Sequence, residues 1–190
     1  MNIFELDQHI FQLINLQWSH PALDFFFLAI RNKTFWIPLY LFLLVFFALN
    51  FGKKGWIVIL GLVFAIGLAD SVSARLIKRT VKRARPCQEL AASGNVRTLI
   101  KCRGYSFTSN HAANHMAISI YLFMVLGGRF RKLRFPLILW ALLIGYAQIY
   151  VGVHYPTDIL GGWLLGYVIG LLCFEWTSWT LRRYFETSFI

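Results

Sequence analysis

Long apolar runs separated by short basic turns constrain this chain more than any other feature. Residues 34–51, 56–77, 107 or 108–126, 135–153 and 158–180 form five such runs. Each is near the length needed to cross a hydrocarbon core about 30 Å thick. Inside that core the backbone finds no water to bond, so the runs must be helices. With 58% of residues hydrophobic and 14% charged, the expectation is an all-α, multi-span transmembrane bundle built as one membrane-embedded domain over residues 1–190.

The segment before the first span reads differently. Ile3, Phe4, Leu6, Ile10, Phe11, Leu13 and Ile14 alternate with Glu5, Asp7, Gln8 and His9, the pattern of an amphipathic helix lying at the membrane surface. His20-Pro21 ends it. Residues 22–30 are apolar but too short to span, and stop at Arg31 and Lys33, so a second interfacial or partly inserted helix is expected. Residues 1–31 together form the interfacial part. Residues 1–18 lack a basic leader, a long apolar core and a small-residue cleavage site, so no cleavable signal peptide is expected.

Alternating spans put the Lys53-Lys54 turn, the turn holding Arg129, Arg131, Lys132 and Arg134, and the Arg182-Arg183 pair on one side. Short basic loops mark the cytoplasmic face. The opposite side then carries an outer loop, residues 78–107, and the turn around His154. That loop is itself basic, with Lys78, Arg79, Lys82, Arg83, Arg85, Arg97, Lys101 and Arg103. Cations on the translocated side run against the usual bias. A phosphate-bearing substrate accounts for them most simply, and contact with anionic head groups is the alternative. The net charge of +11 does not point to nucleic acid, because the cations sit in short loops beside spans with no binding module. Cys87 and Cys102 both fall in the outer loop and would pair in an oxidising compartment, whereas Cys173 lies mid-span as a packing residue.

Three polar segments meet on this outer side. The first is K-R-T-V-K-R-A-R-P, residues 78–86; Lys78 and Arg85, seven apart, would share one helix face until Pro86 stops the helix. The second is Y-S-F-T-S-N-H, residues 105–111, where Thr108, Ser109 and Asn110 are all N-cap types and His111 enters the first turn. Free amides there attract anions. His115 lies one turn on and allows a His/His metal pair, or simply an interhelical contact. The third is V-G-V-H-Y-P-T-D, residues 151–158, with Pro156 suited to a first helical turn. Asp158 can hold one nitrogen of His154 and leave the other free to attack an electrophile. A capped helix with an incidental histidine is the plainer reading of that segment alone. Cations, helix-start amides and two histidines together make the inventory for phosphoryl transfer through a covalent histidine.

The K-x6-R-P at Lys78–Pro86, the S-x-H at Ser109–His111 and the G-V-H-Y-P-T-D at Gly152–Asp158 resemble, in order, the three signatures of the type 2 phosphatidic acid phosphatase (PAP2) superfamily. The resemblance runs from Trp56 to Leu172. It implies a cofactor-free, metal-independent helical bundle that hydrolyses phosphate monoesters or diphosphates of membrane lipids at the outer face of a bacterial inner membrane. It implies His154 as nucleophile, Asp158 as the group orienting it, and His111 as the acid for the leaving oxygen. Lys78, Arg85, Ser109 and the amide of Asn110 would hold the phosphoryl oxygens, with Gln148 beside them. Polyprenyl diphosphate, phosphatidylglycerol phosphate and lipid A phosphates are the implied substrate types; a phosphotransferase and a non-catalytic lipid binder are the alternatives. Two departures stand out. Thr108 and Asn110 replace the proline and glycine of the second signature, and Ala147-Gln148 replace the Ser-Arg that opens the third. Losing a charge-assisted contact at 148 costs about 1.5–3 kcal/mol unless another cation replaces it. Arg103, Lys82 and Arg83 are the loop candidates.

Overall fold

The computed structural model describes residues 2–128 and 130–185, and every regular element within them is a helix. Helix α1, Ile3–Gln12, runs on into a π-helical turn, Leu13–Gln17. Helix α2, Pro21–Ile30, starts with proline at its first position and His20 accepting the Ala22 N–H. Helix α3, Ile37–Ser71, is followed by a π-helical turn, Val72–Ile77, and the short α4, Lys78–Val81. Then come α5, Pro86–Glu89; α6, Asn110–Leu126; α7, Arg134–Tyr150; and α8, Pro156–Phe185. Three helical stretches are long and apolar enough to cross a membrane: Lys33–Glu89, Arg131–Tyr150 and Pro156–Phe185. Arg129, expected in the basic turn before α7, lies outside the described residues.

The first of these stretches is not a single rod. Gly52 adopts φ +51°, ψ −129°, which breaks the helix where the sequence places its basic turn. Ile37, Tyr40 and Leu44 share one apolar groove with Ile59, Leu62 and Ile66, so the two legs pack side by side.

Helix α6 is the centre of the bundle, buried along most of its length and flanked by α3, α7 and α8. Its approach to α8 depends on glycine. A Cβ added at Gly166 would lie 2.2 Å from the Ala113 carbonyl; at Gly162, 2.8 Å from the Ser109 carbonyl; at Gly170, 2.8 Å from the Ala117 carbonyl. With one glycine per turn, the two backbones come together as in small-residue interfaces within membranes. That contact brings the first turn of α6 beside the first turn of α8. Large apolar side chains such as Phe25, Leu49 and Phe135 point outward, as expected where lipid rather than water surrounds the bundle.

Three ties fasten the outer loop to this frame. Cys87 and Cys102 form the disulfide, with Cα atoms 6.1 Å apart. The Asn15 side chain donates to the Arg97 and Tyr150 carbonyls, both at 2.8 Å, and accepts the Arg97 N–H at 2.7 Å. Arg97 Nη1 reaches both oxygens of Asp24, at 2.8 and 2.7 Å. Gly152 makes room for this strapping: at φ +87°, its absent Cβ would sit 2.3 Å from the Arg97 carbonyl. The N-terminal helical segments are therefore clamps on the loop.

Replacing Gly166 with isoleucine should destabilise the detergent-solubilised protein by about 1–3 kcal/mol or more, since the contact is backbone to backbone. Gly67, with open space around its Cβ position, is the control. Equal thermal melts for Gly166→Ile and Gly67→Ile would refute the close approach.

Candidate active site

The outer loop, the start of α6 and the α7–α8 turn enclose a cleft of about 400 Å³. It is lined by His111 and His154 together with Lys78, Arg85, Lys101, Arg103, Arg31, Asn110 and Gln148. The two histidines come from different segments, and the fold brings them to one space.

His154 is 3% exposed and Asp158 wholly buried. Nδ1 of His154 lies 3.4 Å from Asp158 Oδ2 and 3.4 Å from Ser106 Oγ. With acceptors on that side, the ring proton belongs on Nδ1 and Nε2 keeps its lone pair. The carboxylate is itself held firmly. Oδ2 accepts the Ser106 hydroxyl and the Tyr155 N–H, the latter at 2.8 Å, and Oδ1 accepts Arg83 Nη1 at 2.8 Å. Burial, the largest influence, pushes the His154 pKa from 6.5 down to about 4, against the opposing pull of Asp158.

Arg83 is the hinge of this arrangement. Besides Asp158 it donates to Thr157 Oγ1 at 2.6 Å and to Asp7 Oδ2 at 2.6 Å, and its guanidinium lies 4.2 Å from the Tyr155 ring centre. Asp7 in turn accepts the Thr157 N–H at 2.9 Å and the Thr157 hydroxyl at 2.5 Å. The Thr157 amide at the start of α8 is thus capped by a carboxylate from α1. Tyr155 completes the packing, donating to Glu89 Oε2 at 2.8 Å.

On the cationic side, Lys78 Nζ donates to the Tyr105 and Ser106 carbonyls at 2.8 and 3.1 Å, which ties the cation to the loop holding Ser106. Arg85 reaches the Gly104 and Val153 carbonyls, both at 3.2 Å. The expected shared helix face for Lys78 and Arg85 is not how they meet. Helix α4 ends at Val81, Lys82 turns left-handed at φ +51°, and Arg85 is extended. A residue before proline avoids helical geometry, so Pro86 starts α5 rather than ending a helix that contains Arg85.

The remaining candidates are placed as follows. Ser109 caps α6, accepting the Ala112 N–H at 3.4 Å, and is fully buried rather than lining the cleft. Thr108 does not cap; its hydroxyl pairs with Ser73 at 2.9 Å. The Asn110 side chain donates to Asp70 at 2.8 Å and accepts from Ser73 at 3.0 Å, so its backbone is the part left for the cleft. His115 is bonded through Nδ1 to the His111 carbonyl at 2.9 Å, and its ring packs edge-on against Trp140. Gln148 is buried at the cleft wall, and Arg31 Nη2 approaches its Oε1 at 3.5 Å. Of the three loop cations considered as replacements at 148, Arg103 lines the cleft, Lys82 is exposed and Arg83 is committed to Asp7 and Asp158. Ser106, Asp7 and Arg31 escaped the sequence reading. Asp7 and Arg31 looked like ordinary polar marks on interfacial helices, and Ser106 like one more polar loop residue.

The PAP2 superfamily profile matches residues 54–182, and the chain belongs to that family. It is 32% identical over 153 residues to a lipid A 4'-phosphatase of Bacteroides thetaiotaomicron, covering 77% of this chain and 66% of that one. A lipid A 4'-phosphatase of Porphyromonas gingivalis is 27% identical over 98% of this chain and 79% of its own. Undecaprenyl-diphosphatase BcrC of Bacillus subtilis is 35% identical over 59% of this chain and 54% of its own. Among solved structures, LpxE of Aquifex aeolicus aligns with a TM-score of 0.70 at 29% identity, covering 92% of this chain and 99% of that one.

Two outcomes follow. Arg83→Met leaves two buried carboxylates unpaired and should cost about 3–5 kcal/mol of stability, measured by thermal melting; an unchanged melt would refute the knot. If neutral His154 is the reacting form, its lowered pKa keeps it neutral as pH falls from 7, and rate is lost only as pH falls toward 4. An acidic limb of kcat/KM centred at or above 6.5 would contradict this.

Proposed function

We propose that this protein is a metal-independent membrane lipid phosphatase working through a phosphohistidine at His154. The observation that carries the reading is a single cleft lined by His111, His154, Lys78 and Arg85, with Asp158 fixed behind His154. Nε2 of His154 attacks phosphorus in line with the lipid oxygen. The N–P bond forms as the P–O bond breaks, and His111, protonated once the phosphoryl dianion sits beside it, gives its proton to the departing oxygen. Lys78, Arg85 and the amide at Asn110 stabilise charge on the equatorial oxygens. Water then attacks the phosphohistidine, His111 takes its proton, and the N–P bond breaks to release inorganic phosphate.

Placement in the membrane supports the same reading. Counting the two legs of α3 separately and adding α6, whose 17 residues lie at the short end of a crossing, gives five spans. The Lys53-Lys54 turn then shares a side with Arg182-Arg183, and short basic turns on one side support a cytoplasmic face there and an outer-face cleft in a bacterial inner membrane. The two lipid A 4'-phosphatases align over most of this chain, so a lipid A phosphomonoester is the leading substrate, ahead of undecaprenyl diphosphate and phosphatidylglycerol phosphate.

Purified protein should release phosphate from at least one of these lipids equally well with and without chelator. His154→Ala and His111→Ala should each lower kcat by a thousandfold or more, on the order expected when a covalent nucleophile or its proton donor is removed. Turnover that survives both substitutions would reject the mechanism. Labelled acceptor lipid in place of free phosphate would make the protein a transferase, and head-group binding without turnover across the panel would make it a lipid binder.

A further inference from the structure

Gln148 occupies the position where the first-noted family pattern has arginine, yet the cleft does not lack a guanidinium there. Arg31 reaches the same point from another helix. It follows the last turn of α2, whose Phe27 and Ile30 are buried in the cluster that includes Ala147 and Tyr150 of α7. The Phe27 ring packs 4.5 Å from that of Tyr150, and Trp36 Nε1 donates to the Ile30 carbonyl at 2.6 Å. The backbone at Arg31 is therefore held against α7 on both sides. Its side chain lines the cleft with both histidines, and Nη2 sits 3.5 Å from Gln148 Oε1. Nε of Arg31 is buried and finds no hydrogen-bond partner among the described residues. A guanidinium in that state has donors to spare for a bidentate anion, and phosphate matches its fork. Gln148, neutral, can accept from Arg31; an arginine at 148 would repel it.

We infer that Arg31 is the third phosphate-binding cation of this cleft, its guanidinium supplied from α2 and steered by Gln148, so that the charge absent from α7 is restored from the interfacial helix. The inference deepens the phosphatase reading and rests on it for the kinetic arm alone. The other cations do not fill this place. Arg83 is spent on carboxylates, Lys78 holds the Tyr105 and Ser106 carbonyls, and Arg85 holds the Gly104 and Val153 carbonyls; Lys101 and Arg103 also line the cleft, but among the described residues Arg31 is the cation that approaches Gln148.

The test uses the full chain in detergent, with equilibrium binding of orthophosphate alongside steady-state hydrolysis of the preferred lipid. Arg31→Ala should weaken orthophosphate binding and lower kcat/KM, each about ten- to hundredfold, the scale of one charge-assisted contact. Arg31→Lys should fall between, keeping charge without the fork. Combining Arg31→Ala with Gln148→Arg should recover most of the lost phosphate affinity, because the guanidinium returns from α7; a merely structural Arg31 would not be rescued this way. Arg31→Ala that melts as the wild type and binds orthophosphate equally well overturns the inference, as does failure of the double variant to rescue when it remains folded. Wild type that binds orthophosphate in an Arg31-dependent way but hydrolyses no lipid removes the phosphatase reading and upholds the role of Arg31.

Discussion

A carboxylate with no exposure to solvent governs how this site is assembled. Asp158 is wholly buried, and an isolated charge in such a place is not tolerated. It is tolerated here because donors converge on it from three parts of the chain: Arg83 from the outer loop, Ser106 from the segment leading into α6, and the Tyr155 amide from its own turn. Each donor that satisfies Asp158 also fixes the geometry of something else. Arg83 pulls in Asp7 and with it α1, Ser106 places the loop that Lys78 holds by its carbonyls, and Tyr155 sets the turn that carries His154. The carboxylate beside the histidine is therefore also the group around which this end of the bundle closes.

That dependence explains why the N-terminal helices are part of the site. The apolar residues of α1 that the sequence offers for burial are partly exposed, with Ile3, Phe4 and Leu6 facing out. The face turned to the protein is marked instead by Asp7, Phe11 and Asn15, all buried. Two of these three are polar, and both bond the outer side: Asp7 caps α8 and Asn15 straps Arg97 to the α7–α8 turn. Buried polar groups with defined partners hold one geometry where apolar contact would allow sliding.

Much of this was legible beforehand, for reasons tied to range. Long apolar runs report local environment, so the helical bundle and the basic turn broken at Gly52 could be read directly. The His154–Asp158 pairing is separated by one helical turn and was equally readable. What a one-dimensional pattern hides is contact at long separation. Asp7 lies 150 residues from Thr157, and Arg31 lies 117 from Gln148; neither has a spacing that periodicity can register. The common face assumed for Lys78 and Arg85 failed for a local reason, since Lys82 turns left-handed and Pro86 forces Arg85 to be extended. The glycines at 162, 166 and 170 are visible as a helical stripe, but which helix they admit is decided only when α6 packs against them.

The distribution of charge then gives the cleft its direction. Its lining carries Arg31, Lys78, Arg85, Lys101 and Arg103 and, among the described residues, no carboxylate. The acids nearby are each already engaged: Asp158 and Asp7 with Arg83, Asp24 with Arg97, Asp70 with Asn110, and Glu89 with Tyr155. Cations facing one another across a partly desolvated space repel, and the pull of Asp158 on Lys78 and Arg85, with that of Asp70 on Lys78, offsets this in part. An anion entering between them would relieve that repulsion. A lining of cations, with the acids around it engaged elsewhere, gives the cleft a field that favours an anion.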